Sequence, residues 1–276
     1  MTYLKTAFVF PGQGAQKVGM VKDLYDNYPV VKELFEEADD ALHFSLTKLI
    51  FEGPDEELMK TSNTQPAILT ASTACCRVLQ QEGLTPDIAA GHSLGEYSAL
   101  VAAGSLSFAD AVRTVRLRGQ FMQEAVPLGE GAMAAILGLD EEKIKEICAQ
   151  VSSQGGVVQA VNFNCPGQIS CSGLAEEIKA FSAAVKEAGG RAVPLKVKGG
   201  FHSPFMKEAA AAFDKELAAV AFKTLEIPVY ANCNGLPYSE DVVAILSQQM
   251  ANPVRWETSV RNMIAAGCDT FTEIGP

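Results

Sequence analysis

Gly91-His92-Ser93-Leu94-Gly95 is the stretch of this chain whose residue types and spacing best suit nucleophilic chemistry. It follows the short apolar run Asp87-Ile88-Ala89-Ala90 and precedes Glu96-Tyr97-Ser98-Ala99-Leu100-Val101-Ala102-Ala103, a good helix former. A strand that turns sharply into a helix through paired glycines lifts the serine oxygen out of the turn, and the helix start aims free N–H groups at developing negative charge. The bland alternative is a glycine-bounded turn with an incidental serine; a strand before and a helix after favour the nucleophile. A serine hydroxyl needs a base within hydrogen-bond reach, and the chain has three histidines. His92 adjoins Ser93 in the turn, where neighbouring side chains diverge, so it is expected to pack against or support the elbow. His43, among Leu42, Leu46, Leu49 and Ile50, is expected to be a structural residue of an amphipathic helix. His202 lies in the glycine-opened loop Gly199-Gly200-Phe201-His202-Ser203-Pro204, where the chain re-enters the main domain, and is the expected base. No Asp or Glu between 93 and 202 stands out at a strand end as the acid of a triad. Either a carboxylate elsewhere or a neutral acceptor then orients the imidazole.

Arg118 carries the clue to substrate. On the helix expected from Ser107, the apolar face holds Phe108, Val112, Val115 and Met122, and Arg118 projects beside the last two, whereas Arg113 and Arg116 fall toward the solvated side. A guanidinium on an apolar face is costly unless it meets a carboxylate or phosphate. Ligand binding, an internal salt bridge and a snorkelling side chain are all open readings; the first implies an acyl group with a negative charge. For an oxyanion, the N–H of Leu94 is the natural first donor. Gln13, in the loop Pro11-Gly12-Gln13-Gly14, could supply a second. That loop lacks the Gly-Lys-Ser/Thr ending of a nucleotide-binding P-loop.

The elements that must hold these residues alternate in type. Thr6–Phe10 reads as a strand, followed by a glycine loop and an amphipathic stretch from about Val21; helical patterns follow over 34–38, 42–51 and 65–81, broken at Gly53-Pro54 and Gly83. After the elbow, Ser107-Phe108-Ala109-Asp110 reads as a capping box opening a helix to about Ala125. Segments 132–139, 141–151, 157–163, 168–172, 175–188 and 191–197 then read strand, helix, strand, strand, helix, strand, the order of a ferredoxin-like unit. The expected fold is α/β: a large domain, residues 1–127 and 199–276, with an inserted ferredoxin-like subdomain at 128–198. The chain resumes with helix 204–220, strand 227–230, helices 242–250 and 256–266, and strand 269–274.

With 276 residues, 48% of them hydrophobic, the chain can bury a large core. No apolar run approaches membrane-spanning length, and no cationic segment precedes a long apolar one to suggest export. Seven scattered cysteines without a CxxC suit reduced thiols better than disulfides or a zinc site, so the expected compartment is the cytoplasm, with no metal. A net charge of −11 argues against nucleic acid as a partner. Between 186 and 207, however, Lys186, Arg191, Lys196, Lys198 and Lys207 face only Glu187. This stretch could steer an anionic partner or be an ordinary solvated face.

Phe10-Pro11-Gly12-Gln13-Gly14-Ala15-Gln16, Gly91-His92-Ser93-Leu94-Gly95-Glu96-Tyr97, Arg116-Leu117-Arg118-Gly119, Phe201-His202-Ser203 and Asn252-Pro253-Val254 together resemble the malonyl-CoA:acyl carrier protein transacylase family, in order and over nearly the whole chain. The resemblance implies a hydrolase-like large domain around a parallel sheet, with the ferredoxin-like insert. It implies Ser93 as nucleophile, His202 as base, Arg118 as clamp for the malonyl carboxylate, and the N–H groups of Gln13 and Leu94 as oxyanion hole. The family orients its histidine with a main-chain carbonyl, at the position that Gln249 matches. In related domains, Leu after the serine and Phe before the histidine accompany malonyl, as Leu94 and Phe201 do here. Members usually continue through a further helix beyond Glu273-Ile274-Gly275-Pro276, so any packing lost there would bear on stability, with every matched site residue upstream. The implied reaction is ping-pong transfer from malonyl-CoA to the phosphopantetheine thiol of acyl carrier protein, supplying fatty-acid elongation, with CoA thioester as substrate and no tightly bound cofactor. The rivals are a serine thioesterase or carboxylesterase, a non-catalytic carrier-protein-binding relative, and an acyltransferase serving a polyketide synthase in trans.

Overall fold

The structure, a computed structural model, describes residues 4–125, 130–153, 157–195, 197, 199–239 and 241–276. Eight strands occur among them: β1 (Lys5–Phe10), β2 (Ile88–Gly91), β3 (Gly131–Leu137), β4 (Val158–Cys165), β5 (Gln168–Leu174), β6 (Arg191–Pro194), β7 (Val229–Tyr230) and β8 (Cys268–Glu273). They form two sheets. The first is parallel, in the order β7-β2-β1-β8. Parallel neighbours need long crossovers, and here these are helices that bury both faces of the sheet. Phe8, Phe10 and Ala89 pack into the main core on one side, while Ala7, Ile88 and Ala90 meet Tyr230 and Met263 on the other.

The crossover from β1 to β2 ends in the helix Thr61–Gln81, buried along most of its length, including the polar residues Ser62, Asn63, Thr64 and Gln65. Pro66 lies inside it and cannot donate to the carbonyl of Ser62 one turn back. Arg116 takes that carbonyl instead (Nη1 to O, 2.7 Å), so it is half-buried against this helix rather than on the solvated side its spacing suggested. The helix Phe108–Glu124 crosses the buried helix closely at Gly119, where a Cβ would come within 2.7 Å of the Ser62 Cα and the Thr61 carbonyl oxygen. Ser107 caps it, its Oγ accepting from the Asp110 N–H.

The second sheet is antiparallel, in the order β4-β5-β3-β6. It carries the helices Glu141–Ser152 and Ala175–Glu187 on a small core of its own, with Ile144, Ile147, Cys148, Phe181 and Val185 against Ala134, Ile136, Ile169 and Cys171. The chain order of this region is strand, helix, strand, strand, helix, strand, as its patterning predicts. Main-chain bonds tie it to the first unit at Val254, which donates to Val161 O (2.7 Å) and accepts from Phe163 N (2.9 Å).

Three expected helices are divided. Residues 42–51 split at His43, which is exposed, takes a left-handed φ of 58° and ends the helix Pro29–Leu42 before Ser45 caps Leu46–Glu52. His43 thus joins two helices instead of lying within one. Residues 204–220 form a 3-10 turn, Pro204–Met206, before the helix Lys207–Leu217. Residues 242–250 become Val242–Leu246 and a 3-10 turn, Gln249–Ala251. An α-helix through Gln249 would need an N–H at position 253, and Pro253 has none.

Candidate active site

The elbow forms where β2 ends. A Cβ on Gly91 would lie 1.9 Å from the Gly95 carbonyl, and one on Gly95 2.2 Å from the Phe10 oxygen, so both turns of chain close only without side chains. Between them Ser93 takes φ 52°, left-handed backbone that a serine adopts only under constraint. The constraint is Asn232, whose Oδ1 accepts from Ser93 N (2.6 Å) while its Nδ2 donates to Gly91 O (2.6 Å). The helix Gly95–Ala102 starts directly after the serine.

Ser93 Oγ lies 2.7 Å from His202 Nε2. The other ring nitrogen of His202 faces two carbonyls, Gln249 O at 3.0 Å and Asn252 O at 3.2 Å, so Nδ1 carries the proton and Nε2 is left to accept from the serine. The Gln249 carbonyl is available because Pro253 cannot claim it. His202 itself sits at φ 58° and is 3% exposed. Burial, and then the positive charge of Arg118, push its pKa down to about 3, so the imidazole is neutral over the ordinary working range.

Arg118 is 1% exposed. Its Nη1 donates to Gln65 Oε1 (2.8 Å), and its Nη2 donates to Gln249 Oε1 (2.8 Å) and Ser93 Oγ (3.2 Å). The guanidinium carbon stands 5.5 Å from the centre of the Tyr97 ring, and Nε has no partner among the described residues. The side chains that accept from it are two neutral amides and the Ser93 hydroxyl, and no carboxylate of the described residues forms an ion pair with it. The open readings of this residue from sequence therefore narrow: it neither snorkels nor forms an internal salt bridge. A buried guanidinium with no carboxylate in direct contact suits an anion.

Beneath the elbow, Glu96 accepts from Tyr238 Oη (2.5 Å) and Asn232 N (3.1 Å) on Oε1 and from Gln249 Nε2 (2.6 Å) on Oε2. Burial pushes its pKa up to about 7, against the lowering effect of these three donors and of Arg118.

A cavity of about 80 Å³ opens over Ser93 and is lined by Gln13, Leu94, Arg118 and His202. Its apolar wall is Met122, Met133, Leu195, Val197 and Phe201, so the antiparallel unit supplies part of it through Met133 and the end of its last strand. Gln13 is fixed by its Nε2 to Thr61 Oγ1 (3.3 Å). His92 lines the same cavity while its Nε2 lies 2.9 Å from Asn164 Oδ1 of the antiparallel unit and its ring 5.9 Å from that of Trp256. Of the basic stretch, Lys186, Arg191 and Lys207 are exposed; Lys196 and Lys198 lie outside the described residues. No group of three metal-ligating side chains occurs among the described residues. Gln65, Asn232, Glu96 and Tyr238 were not foreseen as parts of the site. Gln65 carried one signal, a buried-looking polar run before Pro66; Asn232 and Tyr238 carried none.

A serine at a strand–turn–helix elbow, a neutral histidine on its oxygen and a buried arginine beside it on a parallel α/β unit suit the class of acyl transferases. Residues 7–276 match the family described as acyl transferase domain, and the chain belongs to that family. It is 52% identical over 275 residues to the malonyl CoA-acyl carrier protein transacylase of Bacillus subtilis (strain 168), spanning 99% of this chain and 87% of that one. It is 50% identical over 274 residues to the enzyme of the same name from Escherichia coli (strain K12), covering 98% and 88%. Among solved structures, FabD from Acinetobacter baumannii superposes with a TM-score of 0.95 at 45% identity, over 99% of this chain and 87% of that one. A malonyl-transacylase in complex with a type II polyketide acyl-carrier protein does so with 0.95 at 46%, over 99% and 89%.

Proposed function

We propose that the chain transfers the malonyl group of malonyl-CoA to the phosphopantetheine thiol of acyl carrier protein, supplying fatty-acid elongation. The observation that carries this reading is the buried guanidinium of Arg118, with no carboxylate in direct contact and 3.2 Å from Ser93 Oγ. A malonyl group places a carboxylate one methylene from the carbonyl under attack, which suits that spacing, and a bidentate pair with Arg118 orients it in both half-reactions.

His202 Nε2 takes the Ser93 proton as Oγ adds to the thioester carbonyl. The oxyanion is held by the N–H groups of Leu94, at the start of the elbow helix, and of Gln13, in the loop after β1. Collapse breaks the C–S bond, and CoA leaves as the thiol with the proton from His202. The carrier thiol then gives its proton to His202, attacks the malonyl-serine ester and regenerates Ser93. The carboxylate also acts on the base. Arg118 disfavours imidazolium, so neutralising its charge lowers the cost of protonating His202 in the transition state. The Gln249 carbonyl keeps the imidazole oriented where a triad would use an acid. The cycle draws on no tightly bound cofactor; the CoA thioester enters as substrate.

The finer architecture follows the same reading. A hydrolase-like domain of residues 1–127 and 199–276 carries the chemistry, and a ferredoxin-like insert at 128–198 covers it. The insert's strand–helix order, its antiparallel arrangement β4-β5-β3-β6 and its separate core support this division. Residues 128 and 198, at the ends of the insert, lie outside the described residues. A cytoplasmic setting accords with the free cysteines and with described helices that are nowhere long and apolar enough to cross a membrane. Intact-protein mass spectrometry after mixing with malonyl-CoA or acetyl-CoA, then with holo carrier protein, tests the function. The expected result is a malonyl adduct absent from Ser93→Ala, selectively weakened in Arg118→Ala and passed to the carrier. An adduct discharged to water as fast as to the carrier would identify a hydrolase instead.

A further inference from the structure

Glu96 is a fully buried carboxylate that the reaction above does not use, yet it touches two of the residues that build the site. The Gln249 side chain stands between it and Arg118: Nε2 donates to Glu96 Oε2 (2.6 Å) and Ser93 O (2.7 Å), and Oε1 accepts from Arg118 Nη2 (2.8 Å). We propose that Glu96 is a positioning residue for the acyl carboxylate, fixing through the Gln249 amide the orientation in which Arg118 meets the substrate.

The donors and acceptors around Gln249 admit only one orientation of its amide. Arg118 has only donors to offer and the Ser93 carbonyl only an acceptor, and the near Glu96 oxygen accepts from the same NH2. The amide oxygen must therefore face the arginine and the NH2 must face the elbow. Glu96 in turn cannot be replaced by its own amide without conflict. Oε1 receives a backbone N–H from Asn232, which cannot change role. In Glu96→Gln the amide oxygen must stay on that side, and the new NH2 then confronts Gln249 Nε2, donor against donor. Turning Gln249 over relieves that contact but sets its NH2 against Arg118 Nη2 and its oxygen against Ser93 O. In a buried site each such mismatch is expensive. A change two side chains from the substrate thus displaces the guanidinium, and misplacement of a positioning group is costly in rate.

This inference rests on the malonyl-transfer reading, and the experiment separates their failures. Single-turnover loading of Ser93 from malonyl-CoA and from acetyl-CoA is measured on wild type, Glu96→Gln, Arg118→Ala and the double variant. Glu96→Gln is expected to slow malonyl loading by about 10- to 100-fold while leaving acetyl loading far less affected. It should cost nothing further in the Arg118→Ala background, since its effect passes through that residue. Gln249→Met, which removes the amide but keeps the carbonyl held by His202, must show the same selective loss, and it serves where Glu96→Gln does not fold. Tyr238→Phe takes a different donor from Glu96 and is expected to leave the malonyl-to-acetyl ratio unchanged. Equal losses for both acyl groups, losses that add to those of Arg118→Ala, or a collapsed ratio in Tyr238→Phe would overturn the proposal. A wild type that loads no malonyl group would instead overturn the function on which it rests.

Discussion

The two sheets of this molecule meet at one cavity but contribute different things to it. The parallel unit supplies Ser93, His202, Arg118 and Gln13 and holds the site by bonds between residues far apart in the chain, such as Asn232 to Gly91 and Glu96 to Tyr238. The antiparallel unit supplies an apolar surface, Met133 and Leu195, and steadies the elbow from outside through Asn164. Its own ion pairs are exposed i,i+3 and i,i+4 contacts along the helix Glu141–Ser152. Such pairs are worth little, about 0–1 kcal/mol each. One unit carries the polar network around Ser93, and the other completes the apolar wall beside Met122 and Phe201.

The largest test of that division removes the base. His202→Ala should slow loading of both acyl groups by about 10²- to 10⁴-fold, read by single-turnover acylation. A comparable loss from any substitution in the antiparallel unit would break the contrast. A smaller effect concerns pH. His202 works as the neutral imidazole and its pKa is held at about 3, so acetyl loading by wild type should show no acid limb near ~6.5. Arg118→Ala removes the second cause of that depression, so the limb should move upward; acetyl-CoA, which has no carboxylate, isolates the effect. A limb that does not move would show that burial alone sets the base. The smallest expected effect on chemistry comes from the wall. Met133→Ala should cost about 2–5 kcal/mol of stability and admit bulkier acyl groups, with malonyl loading changed little, as seen by denaturant unfolding and a panel of acyl-CoAs. A large loss of malonyl loading there would assign the antiparallel unit a share in the reaction itself.

What could be read from the sequence follows the same contrast. The elbow was legible because the residues that mark it are local: an apolar run, two glycines and a helix former within about a dozen residues, although Asn232 and Phe10 help to hold it. The strand and helix order of the antiparallel unit was legible for the same reason. Arg118 could be singled out on an apolar helix face, but its alternatives closed only once Gln65 and Gln249 were seen beside it, 53 and 131 residues away. Asn232 and Tyr238 were invisible, because an asparagine in a turn and a tyrosine near a strand have ordinary local explanations. Gln249 entered only through the family resemblance, although Pro253 four residues on was a physical reason to expect a free carbonyl. The helix boundaries that were misplaced, at His43 and after Leu246, were those decided by a left-handed residue and a missing N–H rather than by hydrophobic periodicity.

Ser93 and His202 share a feature that neither needs for its hydrogen bonds as such: both backbones lie at positive φ, 52° and 58°. Side chains held there cost on the order of 1–3 kcal/mol apiece, and glycine would occupy either position more comfortably. The fold therefore disfavours its two reactive residues and keeps them only because Asn232 and the carbonyls of Gln249 and Asn252 restrain them. A lineage selected for durability alone would drift toward glycine at both positions and fall silent as it hardened.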